Sequence, residues 1–294
     1  MNRRLLFKSG PGRLLAATVL SLGLSAPQAV QAAGAIDVPD HKFSFDGIFG
    51  TFDRMQLQRG FQVYREVCSV CHGLRLISFR NLGDGPDSGN NSGGLGYTQD
   101  QVKAFAAEYM ILDGPNDEGE MFERAGLPFD HYPSPFPNRQ AAEFANGGAY
   151  PADLSLMAKA RAGGADYIYH LLTGYIDPPA GIDVGALHYN RYFPGTLTVD
   201  TGRIDEDTGE PILEKVPGGL IAMAQPLWED GVEYQDGTPA TVEQMAEDVS
   251  AFLMWTAEPM LEDRKRMGIK VLIFLVVLTA LFYAIKRQVW AKLH

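Results

Sequence analysis

Apolar positions along the chain form four patterns: two are one-sided, one is a short apolar stretch near the start, and one is apolar on every face. From Arg59 to Cys68, the residues Gly60, Phe61, Tyr64 and Val67 share one face at helical spacing, which predicts a helix. Residues 239–257 repeat the pattern with Met245, Val249, Phe252 and Trp255 or Thr256 along one side. There Pro239 suits a first turn and Thr238 an N-cap. A helix with one apolar face buries that face, so both belong to a core. The third pattern, Leu14–Leu24, follows the basic residues Arg3, Arg4, Lys8 and Arg13 and precedes small residues from Ala26 to Ala35. Basic, apolar, then small is the order of a secretory leader, with cleavage expected near Ala32 or Ala33. The fourth is Val271–Ile285, fifteen residues without a charge. Snorkelling Lys270 and Lys286, with Gly268, Ile269, Val289 and Trp290, lengthen it to a transmembrane span.

Cations flank that span on both sides: Arg264, Lys265, Arg266 and Lys270 before it, Lys286, Arg287 and Lys292 after it. Charge therefore leaves its orientation open. The leader decides, since it exports the body and keeps the tail in the cytoplasm. The expected organisation is a leader at 1–32, an exported body at 33–262, a membrane anchor at 268–287 and a cytoplasmic tail at 288–294.

Composition adds that the body is mainly α but rich in loops, because 32 glycines and 18 prolines interrupt its 294 residues. The formal charge is −11, and losing the four cations of the leader takes it to −15. An acidic surface disfavours nucleic acid and attracts a basic partner, in a salt-dependent way. Two acidic stretches, Asp113–Glu123 and Glu229–Asp236, are candidates for that steering.

The chain has two cysteines, and they stand together in Cys68-Ser69-Val70-Cys71-His72. An exported domain held by disulfides would carry more. A redox dithiol expects a strand–helix junction, and a zinc site expects a second Cys/His pair, for which no cysteine remains. Cys-x-x-Cys-His is the attachment signature of c-type haem: each thiol adds across a vinyl group and the adjacent imidazole ligates the iron. The flanking helix agrees, because small cytochromes c pack the helix before the motif against a C-terminal helix through a glycine–aromatic contact. For the second axial position the chain offers His41, His131, His170, His188, His294 and ten methionines. Met245 and Met254 belong to the packing helix and Met267 borders the membrane, whereas Met223 lies in the apolar, turn-bounded loop Pro217–Pro226.

Several segments taken together resemble the cytochrome c1 family, the haem subunit of the ubiquinol–cytochrome c oxidoreductase (bc1) complex. They are Arg65–Gly73, Pro135–Asn138, Asn146–Ser155, Leu171–Pro179, His188–Gly195, Ile221–Leu227, Asp236–Thr241 and Trp255–Pro259, leading through Asp263–Gly268 into the anchor. The resemblance runs in order from about residue 40 to the C-terminus. It implies one covalent haem c, with thioethers at Cys68 and Cys71, His72 and Met223 as iron ligands, Arg161 paired with a propionate, and Asn146 and Tyr167 lining the haem. It further implies an electron carrier that is not itself the quinol-oxidising site. That carrier would sit in a bacterial cell membrane with its haem domain on the periplasmic side, beside cytochrome b and the Rieske iron–sulfur protein, and would serve a soluble basic cytochrome c. Two alternatives are a free-standing anchored shuttle, expected to be smaller, and a haem peroxidase, expected to have a second haem motif or an open iron. One departure is Val199–Gly219, an acidic insertion before the methionine loop. Some bacterial relatives clamp this region with a disulfide that this chain cannot form, so packing through Leu220, Ile221 and Pro226 is expected to hold Met223.

Overall fold

A computed structural model describes residues 37–84, 93–205 and 208–291; the expected leader and His294 lie outside the described residues. Among the described residues the chain is mostly helical, with long connecting loops. Helix α1 (Arg54–Glu66) starts where the Asp53 carboxylate accepts from Met55 N at 2.9 Å, an N-cap that satisfies a first-turn amide. Helix α2 (Gln99–Ala107) starts at a Thr98/Gln101 capping box, and α3 (Arg139–Ala145) is capped by Asn138. Two further helices, α4 (Met157–Ala160) and α5 (Gly164–Thr173), lead towards α6 (Val242–Ala257) and the long α7 (Leu261–Trp290). Strands are few. They form three two-stranded antiparallel ribbons: β1 (Met110–Asp113) with β2 (Phe122–Ala125), β3 (His188–Asn190) with β6 (Gly219–Ile221), and β4 (Thr196–Ile204) with β5 (Pro211–Pro217).

The expected pairing of the two one-sided helices is the centre of the core. Gly60 of α1 lies so close to α6 that a Cβ there would come within 2.0 Å of Asp248 O and 2.8 Å of Phe252 Cβ. Phe61, Tyr64, Met245, Val249, Phe252 and Trp255 are all buried in this contact zone. Beside the apolar seam, Arg59 forms a fork on the fully buried Asp248, at 2.9 and 3.1 Å, and reaches Asp236 at 3.0 Å. Gln244 adds a bond to Asp248 at 3.0 Å, so the buried carboxylate is well supplied with donors.

Two sequence expectations need correction. Helix α6 begins after Thr241, whose hydroxyl accepts from Gln244 N at 3.1 Å, and not at Thr238 with Pro239 in the first turn. Thr238 is already engaged in a turn, its amide donating to Asp236 Oδ1 at 3.0 Å. Helix α1 ends at Glu66, short of the expected Cys68, and Cys68–Val70 forms a separate 3-10 turn. The acidic segment 199–219 folds mostly as the β4–β5 hairpin, and Gly219 already belongs to β6.

Helix α7 is 30 residues long and is long and apolar enough to cross a membrane. Its first turns dock on the body. Glu262 accepts from Phe52 N at 2.9 Å and from Arg54 at 3.2 Å, and it is 4% exposed.

Candidate functional site

The Cys68-to-His72 turn is built by backbone bonds from Cys71 N (3.2 Å) and His72 N (2.9 Å) to Cys68 O. This tight turn sets Cys71 close enough to Cys68 to act on its thiol electrostatically, and neither cysteine is in a disulfide. Burial pushes the Cys68 thiol up to about 12, so it rests as a neutral thiol. Burial also lowers the His72 pKa, which favours the neutral imidazole that a metal needs. His72 Nδ1 lies 2.6 Å from Ala152 O. A carbonyl only accepts, so Nδ1 carries the proton and Nε2 is left with its lone pair. Tyr64 of α1 donates to His72 O at 3.1 Å, tying the ligand residue to the core.

The segment 152–155 is laced to the strip after His72. Leu154 N bonds Gly73 O (2.9 Å), Asp153 accepts from Arg75 N (3.0 Å), and Ser155 accepts from Leu76 N (3.1 Å). Sequence reading missed these supports. The Asp153-x-Ser155 pattern signals a local turn, the Asp153 carboxylate accepting from Ser155 N at 3.0 Å, but nothing in it names Arg75 as a partner.

Met223 lies two residues beyond β6, half-buried and packed against the hydrophobic core. Its loop is held from several sides. Tyr175 donates to Met223 O at 3.0 Å, and β6 pairs with β3 through Asn190, itself buried and bonded to Leu171 O at 2.7 Å. The expectation that Leu220, Ile221 and Pro226 hold the loop by packing is revised. All three are only half-buried, and the buried anchor is Leu227, at 2% exposure. A strand pairing and a tyrosine do the work assigned to apolar contact.

Of the remaining predicted site residues, Arg161 and Tyr167 come together across the α4–α5 junction. Burial raises the Tyr167 pKa, and the Arg161 guanidinium hydrogen-bonded to it opposes that shift. Arg161 itself is exposed, with Nη1 bonded to Ala160 O at 3.2 Å. Asn146 caps the C-terminal end of α3, its amide donating to Ala142 O at 2.7 Å. That bond leaves its amide oxygen for other work.

A family model for the cytochrome C1 family matches residues 43–293 of this chain. The chain belongs to the cytochrome c1 family. It is 44% identical over 292 residues to cytochrome c1 of Rhodospirillum rubrum, covering 94% of each chain. It is 43% identical over 272 residues to the mitochondrial cytochrome b-c1 complex catalytic subunit of Candida albicans, covering 92% of this chain and 83% of the relative. Against the cytochrome b/c1 protein of Bradyrhizobium diazoefficiens the identity is 44% over 301 residues, 96% of this chain, which spans 39% of that protein's length.

Membership implies a haem c, and the chemistry of the donor set fits one. Two unpaired thiols stand on one turn, an imidazole is fixed with Nε2 free, and a tethered thioether lies on a second loop.

Proposed function

We propose that this chain is the electron-transfer subunit of a bc1-type complex, taking single electrons from a Rieske iron–sulfur protein and handing them to a soluble basic cytochrome c. The observation that carries this reading is the fixed His72 tautomer beside two free thiols, in a chain that the cytochrome c1 family model matches almost throughout. Haem c, when bound, supplies a reversible one-electron iron couple. Cys68 and Cys71 would anchor it by thioether links, and His72 Nε2 and the Met223 sulfur would be the donors to its iron. A thioether paired with an imidazole would favour ferrous iron and raise the potential, which suits electron transfer rather than peroxide chemistry. Arg161 suits a propionate, and Asn146 and Tyr167 line the haem in the same reading.

The relative from Candida is named for a cytochrome b-c1 complex and that from Bradyrhizobium is named cytochrome b/c1. Those names support a place beside cytochrome b in the membrane. The expected leader, exported body and C-terminal anchor support a haem domain on the periplasmic side of a bacterial cell membrane, with the tail after α7 in the cytoplasm. Of the two acidic stretches, Glu229–Asp236 follows the Met223 loop directly, and its Glu229, Asp230 and Glu233 are exposed. That favours it for steering a basic acceptor to the haem edge. Purification from mild detergent tests the assignment. Co-elution with a b-type cytochrome and an iron–sulfur protein is expected, and elution alone would point to a free-standing shuttle.

A further inference from the structure

The turn between Phe45 and Gly50 leaves two large apolar side chains in the open: Ile48 is 68% exposed and Phe49 83%. Its base is rigid. Phe43, Phe45 and Phe52 are buried, with successive ring centroids 4.9 and 5.1 Å apart. Asp46 accepts from Phe43 N at 2.7 Å, and Thr51 N bonds Ser44 O at 3.1 Å. The neck is narrow enough that a Cβ on Gly50 would lie 2.0 Å from Asp46 O. Lys265 of α7 closes it, its ammonium donating to Phe45 O and, at 3.2 Å, to Gly50 O.

This places the turn at a definite height along α7. Lys265 precedes Val271, where the charge-free run begins, by six residues, or about 9 Å along a helix axis. The polar zone on each side of the hydrocarbon is roughly 5–7 Å deep. A turn clamped to Lys265 therefore stands at the polar edge of whatever bilayer α7 enters. Arg266 stands at the same level; it is paired with Glu262 at 3.2 Å and keeps 58% of its side chain exposed towards the polar zone. The three buried phenylalanines occupy the core beneath the turn, and Ile48 and Phe49 stay outside it. Water is a costly surrounding for both, and an interfacial zone is not.

We infer that the turn 46–49 is a lipid-facing foot, with Ile48 and Phe49 entering the bilayer interface beside α7. Together with the Lys265 clamp it sets the height and tilt of the body over the membrane. The inference rests on α7 crossing the membrane and is independent of the haem ligands.

A nitroxide label tests it, attached to Phe49→Cys and separately to Ile48→Cys in the assembled complex. Vesicles of mixed phosphatidylcholine and phosphatidylglycerol hold the complex, and collisions with dissolved oxygen and with a water-soluble nickel chelate are compared. Labels at Val276→Cys, within the span, and Leu213→Cys, on exposed β5, give the lipid and water references. The oxygen-to-nickel ratio at 48 and 49 is expected to exceed that at 213 several-fold. A nickel-accessible label at 48 and 49 overturns the inference, and so does a label shielded from both reagents, which would mean a protein surface covers the turn. If 276 also reads as water, it is the membrane reading of α7 that fails. An unchanged haem spectrum confirms that each labelled variant is assembled, and the two positions serve as independent tests.

Discussion

Met223 and His72 are held by different means, and the difference says what each substitution does. His72 is fixed through its own ring, by Nδ1 on Ala152 O. Met223 is fixed through its backbone, by Tyr175 on its carbonyl, so its side chain can be changed without unpicking the loop. Met223→Leu is therefore expected to fold, to lose the sulfur–iron absorption band near the red edge, and to lower the midpoint potential. The fall should be on the order of 0.1 V or more, within the roughly 0.8 V that axial ligands command. An unchanged spectrum would remove Met223 from the iron. The Cys68–His72 motif was legible because covalent attachment needs those residue types side by side. The bond from Tyr175 to Met223 spans 48 residues and ends on a backbone carbonyl, which every residue has, so no side-chain pattern announces it.

At the scale of elements, the α1–α6 contact is the most sharply constrained. Gly60→Ala sets a methyl 2.0 Å from Asp248 O, so the helices must part. Overpacking of this kind costs about 1–3 kcal/mol, and a lower thermal midpoint with an unchanged motif spectrum at low temperature is the expected result. The β1–β2 ribbon carries a pH-dependent clamp. Arg124 holds Asp130 at 2.7 and 3.0 Å and also pairs with Asp113, and those bonds keep the Asp130 carboxyl below the usual carboxylate range. The folded chain then keeps Asp130 ionised where the unfolded chain protonates it. Stability from the pair is complete above the ordinary pKa of about 4 and is lost as pH falls through the lower folded value. Asp130→Asn should lower the urea midpoint at neutral pH and flatten its acid-side decline; equal slopes for variant and parent would refute the clamp. Helix positions were readable from spacing, but the start of α6 was not. Thr238 and Thr241 are both plausible caps, and the bond from the Thr238 amide to Asp236 commits Thr238 to a turn.

For the whole molecule, the joint between body and anchor is the point of decision. Glu262 lies within the first turn of α7, yet it satisfies Phe52 N and Arg54 of the body. A chain ending after Met267 should lose its need for detergent and keep its thermal midpoint. One ending after Met260 removes that carboxylate from a buried amide and a guanidinium, at a cost of about 1–3 kcal/mol, or several degrees in a domain of this size. Equal midpoints for the two truncations would show that Glu262 carries no structural load. Sequence alone marked the cysteine–histidine motif, the two packing helices and the long apolar helix, because each depends on neighbours along the chain or on a helical period. Tertiary structure alone decided which carbonyl orients His72, which tyrosine steadies the Met223 loop, and where the body grips α7. Those contacts join residues tens to hundreds of positions apart through backbone atoms and buried charge, and only the fold makes them neighbours.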